Sequence, residues 1–182
     1  MNNRQIHTIL TSNALTRNCF EGVYALEEIK GKVIKNNSGI IVNLSKSTEP
    51  GTHWVSIFKP FKGPTEYFDS FALGPWIKQE IIDFLPELFL YNGKRLQSEI
   101  STACGQYCIY FIFKRARGYS MREILSEFDT SSHLQNDFKV NHKVENIFEI
   151  DLTTVDPEYI SSQSVQQPII FMKQFHPVKD VT

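Results

Sequence analysis

Ile6, Ile9 and Leu10 recur at the three- and four-residue spacing of a helix, predicted over about residues 3–14, before a polar stretch ending at Cys19. Gly39-Ile40-Ile41-Val42-Asn43-Leu44 is instead short, apolar and rich in β-branched residues, which predicts a buried strand. A Ser-, Pro- and Gly-containing loop follows, from Ser45 to Thr52. Trp54 to Phe58 alternates and predicts a second strand. After a turn around Gly63, Glu66 to Asp69 predicts a third, antiparallel to the second. An antiparallel pair sets the start of one strand beside the end of its neighbour, so His53 and Asp69 are expected to meet across the hairpin.

Pro75 to Leu85 reads as a helix with proline in its first turn and Ile77, Ile81, Phe84 and Leu85 on one face. Tyr91-Asn92-Gly93 is a turn signal, and Lys94 to Gln97 reads as a further strand end. From Cys104 the pattern is helical and apolar nearly all round (Ile109, Phe111, Ile112, Phe113), which predicts a central, buried helix closed at Gly118. Ser120 and Glu123 form a capping box for another helix. A last helix spans about residues 132–148, with Leu134, Phe138, Val144, Ile147 and Phe148 at helical spacing. Beyond Ile150 the chain turns polar, and Ile169 to Met172 reads as a docked strand. The pattern predicts an α+β fold, a small mixed central sheet flanked by helices. It is read as one domain over residues 1–182, with a core of about 15–150 and a polar extension over 151–182.

The composition narrows the function. A length of 182 residues with 41% hydrophobic and 13% aromatic content suffices for a packed core without disulfide or metal staples. A formal net charge of −1 argues against a general polyanion binder. The one tight basic cluster, Lys114, Arg115 and Arg117, reads as a solvated helix end where cations complement the dipole. Three cysteines make no disulfide framework and point to a reducing compartment. The five histidines are scattered, so no metal and no cofactor is expected. No apolar run reaches membrane-span length and the N-terminus carries no signal-like segment. A soluble, intracellular monomer is expected.

Cys104 falls at the mouth of the predicted buried helix, where unsatisfied N–H groups favour an anionic sulfur. Its neighbours Ser101, Thr102 and Ala103 are polar or small, and Gly105 is read as leaving room for a substrate backbone. Cys108, one turn deeper between Tyr107 and Ile109, is read as core filler. Asp69 is expected to accept the Nδ1 proton of His53, while Trp54 shields the imidazole. Gln97, seven residues before the thiol, is placed to present its amide beside the Cys104 N–H as an oxyanion hole. Each residue alone has a structural explanation; the quartet His53, Asp69, Gln97 and Cys104 together points to a thiol protease.

Gly51-Thr52-His53-Trp54, then Tyr67-Phe68-Asp69-Ser70, then Gln97 seven residues before Cys104-Gly105-Gln106-Tyr107-Cys108, resembles the adenovirus-type endopeptidases (adenain-like). The same residue order occurs in the related SUMO-deconjugating proteases. The resemblance covers roughly residues 15–118. It implies a cysteine endopeptidase with His53 as general base and acid, Asp69 as orienter, Gln97 as oxyanion donor and Cys104 as nucleophile. It also implies cleavage after small, Gly-containing motifs in viral capsid or core precursors during particle maturation, in the host nucleus or cytoplasm and the virion. Adenoviral enzymes carry glutamate where this chain has Asp69. They are strongly basic, stimulated by DNA, and activated by a peptide joined through a cysteine. This chain is near neutral and has no cysteine from Pro86 to Gly93, so activation by peptide or DNA stays open. Two alternatives remain: a deubiquitinating or deSUMOylating isopeptidase, and a non-catalytic binding module on the same fold.

Overall fold

The computed structural model describes residues 1–49 and 51–155; the predicted strand at Ile169 to Met172 lies outside them. Five strands, β1 (Phe20–Ala25), β2 (Ser38–Asn43), β3 (Trp54–Lys59), β4 (Thr65–Phe68) and β5 (Phe89–Tyr91), form one sheet in the order β1-β2-β3-β4-β5. The central pairs β2–β3 and β3–β4 are antiparallel, whereas β1–β2 and β4–β5 are parallel. The helices are α1 (Asn3–Ser12), α2 (Ala14–Arg17), α3 (Gln79–Phe84), α4 (Cys104–Ala116), α5 (Met121–Ser126), α6 (His133–Phe148) and α7 (Leu152–Val155). The architecture is the mixed α+β sheet flanked by helices that the polarity pattern predicts.

Alternation along the strands divides the core between the two faces of the sheet. Ile41, Trp54, Phe58 and Phe68 join α4, α1 and α6 in one cluster, while Ile40, Val42, Val55, Ile57 and Tyr67 pack with Leu26, Ile29, Ile81 and Leu85 in the other. Helix α4 is buried from Cys104 to Lys114 and lies against β3 and β2. Gly39 makes that close approach possible. A Cβ there would sit 2.8 Å from both Ile112 and Phe58 side chains, so a larger residue would push the helix off the sheet.

The structure adds two strands and corrects three expectations of the fold. β1 and β5 escape the polarity pattern. β1 is interrupted by Gly22 at φ 141° and a register shift, and β5 is only three residues long and largely exposed. Lys94 to Gln97 forms no strand. Residues 75–85 are not one helix: a 3₁₀ turn (Pro75–Ile77) and α3 are separated by Lys78 in an extended conformation, which leaves Ile77 exposed. In the basic cluster at the end of α4, Arg117 is exposed but Lys114 and Arg115 are not solvated. Lys114 is buried and pairs with Glu127 at 2.6 Å, and Arg115 pairs with Glu66 on β4 at 2.9 Å with both side chains about nine-tenths covered.

That last pair ties α4 to the hairpin, and removing one partner strands the other charge in the interior. Arg115→Ala is expected to destabilise the fold by about 3–5 kcal/mol. Denaturant unfolding of the variant reads this, and a change below about 1 kcal/mol would show the pair to be solvated. Among the described residues, no helix is long and apolar enough to cross a membrane.

Candidate functional site

The hairpin brings its two ends together as its register requires. Ser56 pairs with Phe68 across β3 and β4, so His53, just before β3, lies beside Asp69, just after β4. The His53 Nε2 to Asp69 Oδ1 distance is 2.7 Å, with His53 8% exposed and Asp69 fully buried. Asp69 enters through Nε2, where Nδ1 was expected. Nδ1 is buried, and the Cys104 thiol is the other group that acts on the ring.

Burial alone would lower the His53 pKa. The hydrogen bond to Asp69, the hydrogen bond and charge of Cys104, and the charge of Asp69 outweigh it and raise the imidazole from 6.5 to about 9. Asp69 is itself held from several sides. The backbone N–H groups of Phe71 and Leu73 donate to its two carboxylate oxygens at 2.9 and 3.0 Å. Asn92, buried after β5, accepts from the Asp69 N–H at 2.8 Å and donates to its carbonyl at 2.6 Å. Asp69 is thus fixed at both its side chain and its peptide groups.

Cys104 opens α4. The cap position is Ala103, which offers no side-chain acceptor to the first-turn N–H groups. The residue is only 3% exposed, so burial does not separate it from Cys108 or Cys19. Its setting does, because Cys104 lines an open cleft of about 390 Å³ with Gly51, Thr52, Trp54, Phe71 and Ser101. Cys108 is fully buried, and burial pushes its thiol well up; burial likewise raises Cys19 to about 11. Gly105 does not face the substrate side. A Cβ there would meet Ile6 and Met1 at 3.3 Å, so this glycine admits the α1 end of the chain against α4. Trp54 Nε1 donates to Asn3 at 2.7 Å, and Phe71 packs on His53 with ring centroids 5.1 Å apart.

Gln97 is fully buried with its amide oriented at both ends. Ser70 Oγ donates to Gln97 Oε1 at 2.6 Å, and Gln97 Nε2 donates to the Ser101 carbonyl at 2.7 Å, at the lip of the cleft. The loop carrying it is gripped by α6. Asp137 accepts from the Ser98 N–H at 3.1 Å and the Tyr107 hydroxyl at 3.0 Å, and Asn136 donates to the Leu96 carbonyl at 3.1 Å. Burial raises Asp137 to about 6, against those hydrogen bonds from Tyr107, Ser98 and Ser101. The buried face of α6 is therefore partly polar (Asn136, Asp137, Asn141), whereas the predicted Leu134 and Phe138 are only half-buried. Sequence reasoning singled out His53, Asp69, Gln97 and Cys104, but not Ser70, Phe71, Asn92 or Asp137. Of these, only Ser70, adjacent to Asp69, and Asn92, inside a recognised turn, carried a local signal.

An imidazole held by a carboxylate, with a cleft-lining thiol at a helix mouth acting on the ring, is the constellation of a thiol-dependent hydrolase. The chain is similar in sequence to cysteine proteases of African swine fever virus. One is 29% identical over 60% of this chain and 46% of its own length. Another, named a SUMO-1 cysteine protease, is 30% identical over 56% of this chain and 43% of its own length. The chain thus spans under half the length of these relatives. No family model matches it. The crystal structure of an African swine fever virus protease superposes with a TM-score of 0.50 at 22% identity, over 76% of this chain and 65% of that one, so the two share a fold.

Proposed function

We propose that this chain is a cysteine endopeptidase in which Cys104 is the nucleophile, His53 the general base and acid, Asp69 the orienter, and Gln97 with the Cys104 N–H the oxyanion hole. The observation that carries the reading is the buried 2.7 Å His53–Asp69 contact, with the same ring interacting with a thiol that opens onto a cleft. His53, raised to about 9, already holds the thiol proton when Sγ bonds to the scissile carbonyl carbon and the carbonyl π pair moves onto oxygen. The oxyanion is held by the Gln97 amide and the helix-mouth N–H. Collapse expels the amine, which takes the proton from His53 and leaves a thioester. Water then gives its proton to His53 and attacks the thioester, releasing the acid and restoring the thiol. An imidazole raised to about 9 keeps the first proton available for the leaving amine at neutral pH.

The substrate class we propose is a viral or virus-like capsid or core precursor, cut after small, Gly-containing motifs, by a single catalytic domain that acts as a soluble monomer. Gly51 and Thr52 in the cleft wall suit an extended segment without bulky side chains. The name of one relative, a SUMO-1 cysteine protease, keeps a second reading alive, an isopeptidase acting on protein conjugates.

The test is turnover of the purified chain on Gly-Gly-containing precursor peptides beside ubiquitin- and SUMO-derived probes, with iodoacetamide labelling near neutral pH. Cleavage of the peptides and selective labelling of Cys104 over Cys19 and Cys108 is the expected result. Preferential cleavage of a conjugate probe would move the assignment to the second reading. Failure to cleave either, with no selective labelling, would make the chain a binding module.

A further inference from the structure

Ser70 makes three hydrogen bonds to two consecutive residues of the loop that precedes Cys104. Its carbonyl accepts from the Leu96 N–H at 2.9 Å and the Gln97 N–H at 3.1 Å. Its hydroxyl donates to Gln97 Oε1 at 2.6 Å, and all of this is fully buried. The residue before it is Asp69, whose carboxylate holds His53. Two consecutive residues at the end of β4 therefore anchor both the imidazole and the amide.

A primary amide is nearly symmetric in shape but has an acceptor at one end and donors at the other. Rotated by half a turn, Gln97 would set its carbonyl oxygen against the Ser101 carbonyl and turn an acceptor toward the cleft, where a developing oxyanion would be repelled. In the observed orientation, Nε2 spends one N–H on Ser101 and keeps the second for another acceptor. We propose that Ser70 is a positioning residue that fixes the orientation of the Gln97 amide, and that it thereby couples the oxyanion donor to the His53–Asp69 pair. This rests on the roles proposed above for Gln97 and Cys104. Ser70 touches neither substrate nor thiol; it acts through the amide alone.

Ser70→Ala removes the hydroxyl without adding bulk. The loss of kcat is bounded by loss of the amide itself, about 10²–10³-fold, and a misplacement of about 1 Å can cost about 10²-fold. We therefore expect kcat to fall by about 10–10²-fold with KM and the rate of Cys104 alkylation unchanged. In a Gln97→Ala background the same Ser70→Ala change is expected to alter kcat less than about twofold, because no amide remains to orient. An equal loss in both backgrounds would make Ser70 merely structural and overturn the proposal, as would wild-type kcat in the single variant.

A second readout needs no turnover. In an ¹⁵N–¹H spectrum, the two Gln97 side-chain N–H resonances should exchange slowly with solvent and lie away from the free-amide position in the wild type, and should lose both properties in Ser70→Ala. Unchanged resonances refute the positioning role even if the wild-type chain cleaves nothing, whereas an inactive wild type with the expected spectral change refutes only the proteolytic reading.

Discussion

Replacing Cys104 by alanine is expected to reduce turnover by on the order of 10⁴–10⁶-fold and to lower the pH at which His53 titrates. The first effect is loss of the sulfur that forms the thioester in the proposed mechanism. The second is particular to this site. Burial pulls the imidazole down, and it is raised to about 9 because the Asp69 hydrogen bond, the Cys104 hydrogen bond and the charges of both residues together exceed that penalty. Without the thiol, Asp69 alone opposes burial, so the midpoint must fall. The stability effect follows in sign. A folded-state pKa above the ordinary 6.5 means that the contribution of the protonated ring is complete below about 6.5 and is lost as pH rises through about 9. In Cys104→Ala that loss should begin at a lower pH. Peptide kinetics, an imidazole proton titration by NMR and unfolding curves across this range read the three effects. A variant that titrates with the wild type would show that the thiol does not act on the ring.

Several features of this site were legible in the sequence because local chemistry determines them. The alternating run before Phe58, the turn at Gly63 and the run ending at Asp69 define a hairpin, and a hairpin's ends must meet. The buried helix was legible because its apolar residues leave no polar face. What failed depended on tertiary partners. Lys114 and Arg115 look like a solvated helix end until Glu127 and Glu66 are placed beside them. Gly105 looks like a gap for substrate until Ile6 and Met1 fill it. Asn136 and Asp137 interrupt the apolar face expected of α6 because their task is to hold the loop around Leu96 and Ser98, some forty residues earlier in the chain. The ring nitrogen facing Asp69 was likewise beyond reach, since pattern gives the neighbours of an imidazole but not its orientation.

Gln97→Ala is expected to lower kcat by about 10²–10³-fold, the loss typical of one oxyanion donor. KM should change little, because a ground-state carbonyl gains less from the amide than the charged oxygen that forms on attack. The truncation also leaves the buried Ser70 hydroxyl and the Ser101 carbonyl without their partner, so a stability loss of about 1–3 kcal/mol should accompany it. The two effects are separable, since assays well below the variant's Tm report only the first. Gln97→Glu keeps the shape and replaces donors with acceptors, which should deepen the loss because a negative charge would then face the developing oxyanion. Alkylation of Cys104 by iodoacetamide builds no oxyanion, so its rate should stay at the wild-type value in Gln97→Ala. If alkylation fell in step with kcat, Gln97 would be supporting the thiol and not the oxyanion. If kcat were unchanged, the oxyanion would have to be held by backbone N–H groups at the mouth of α4 alone.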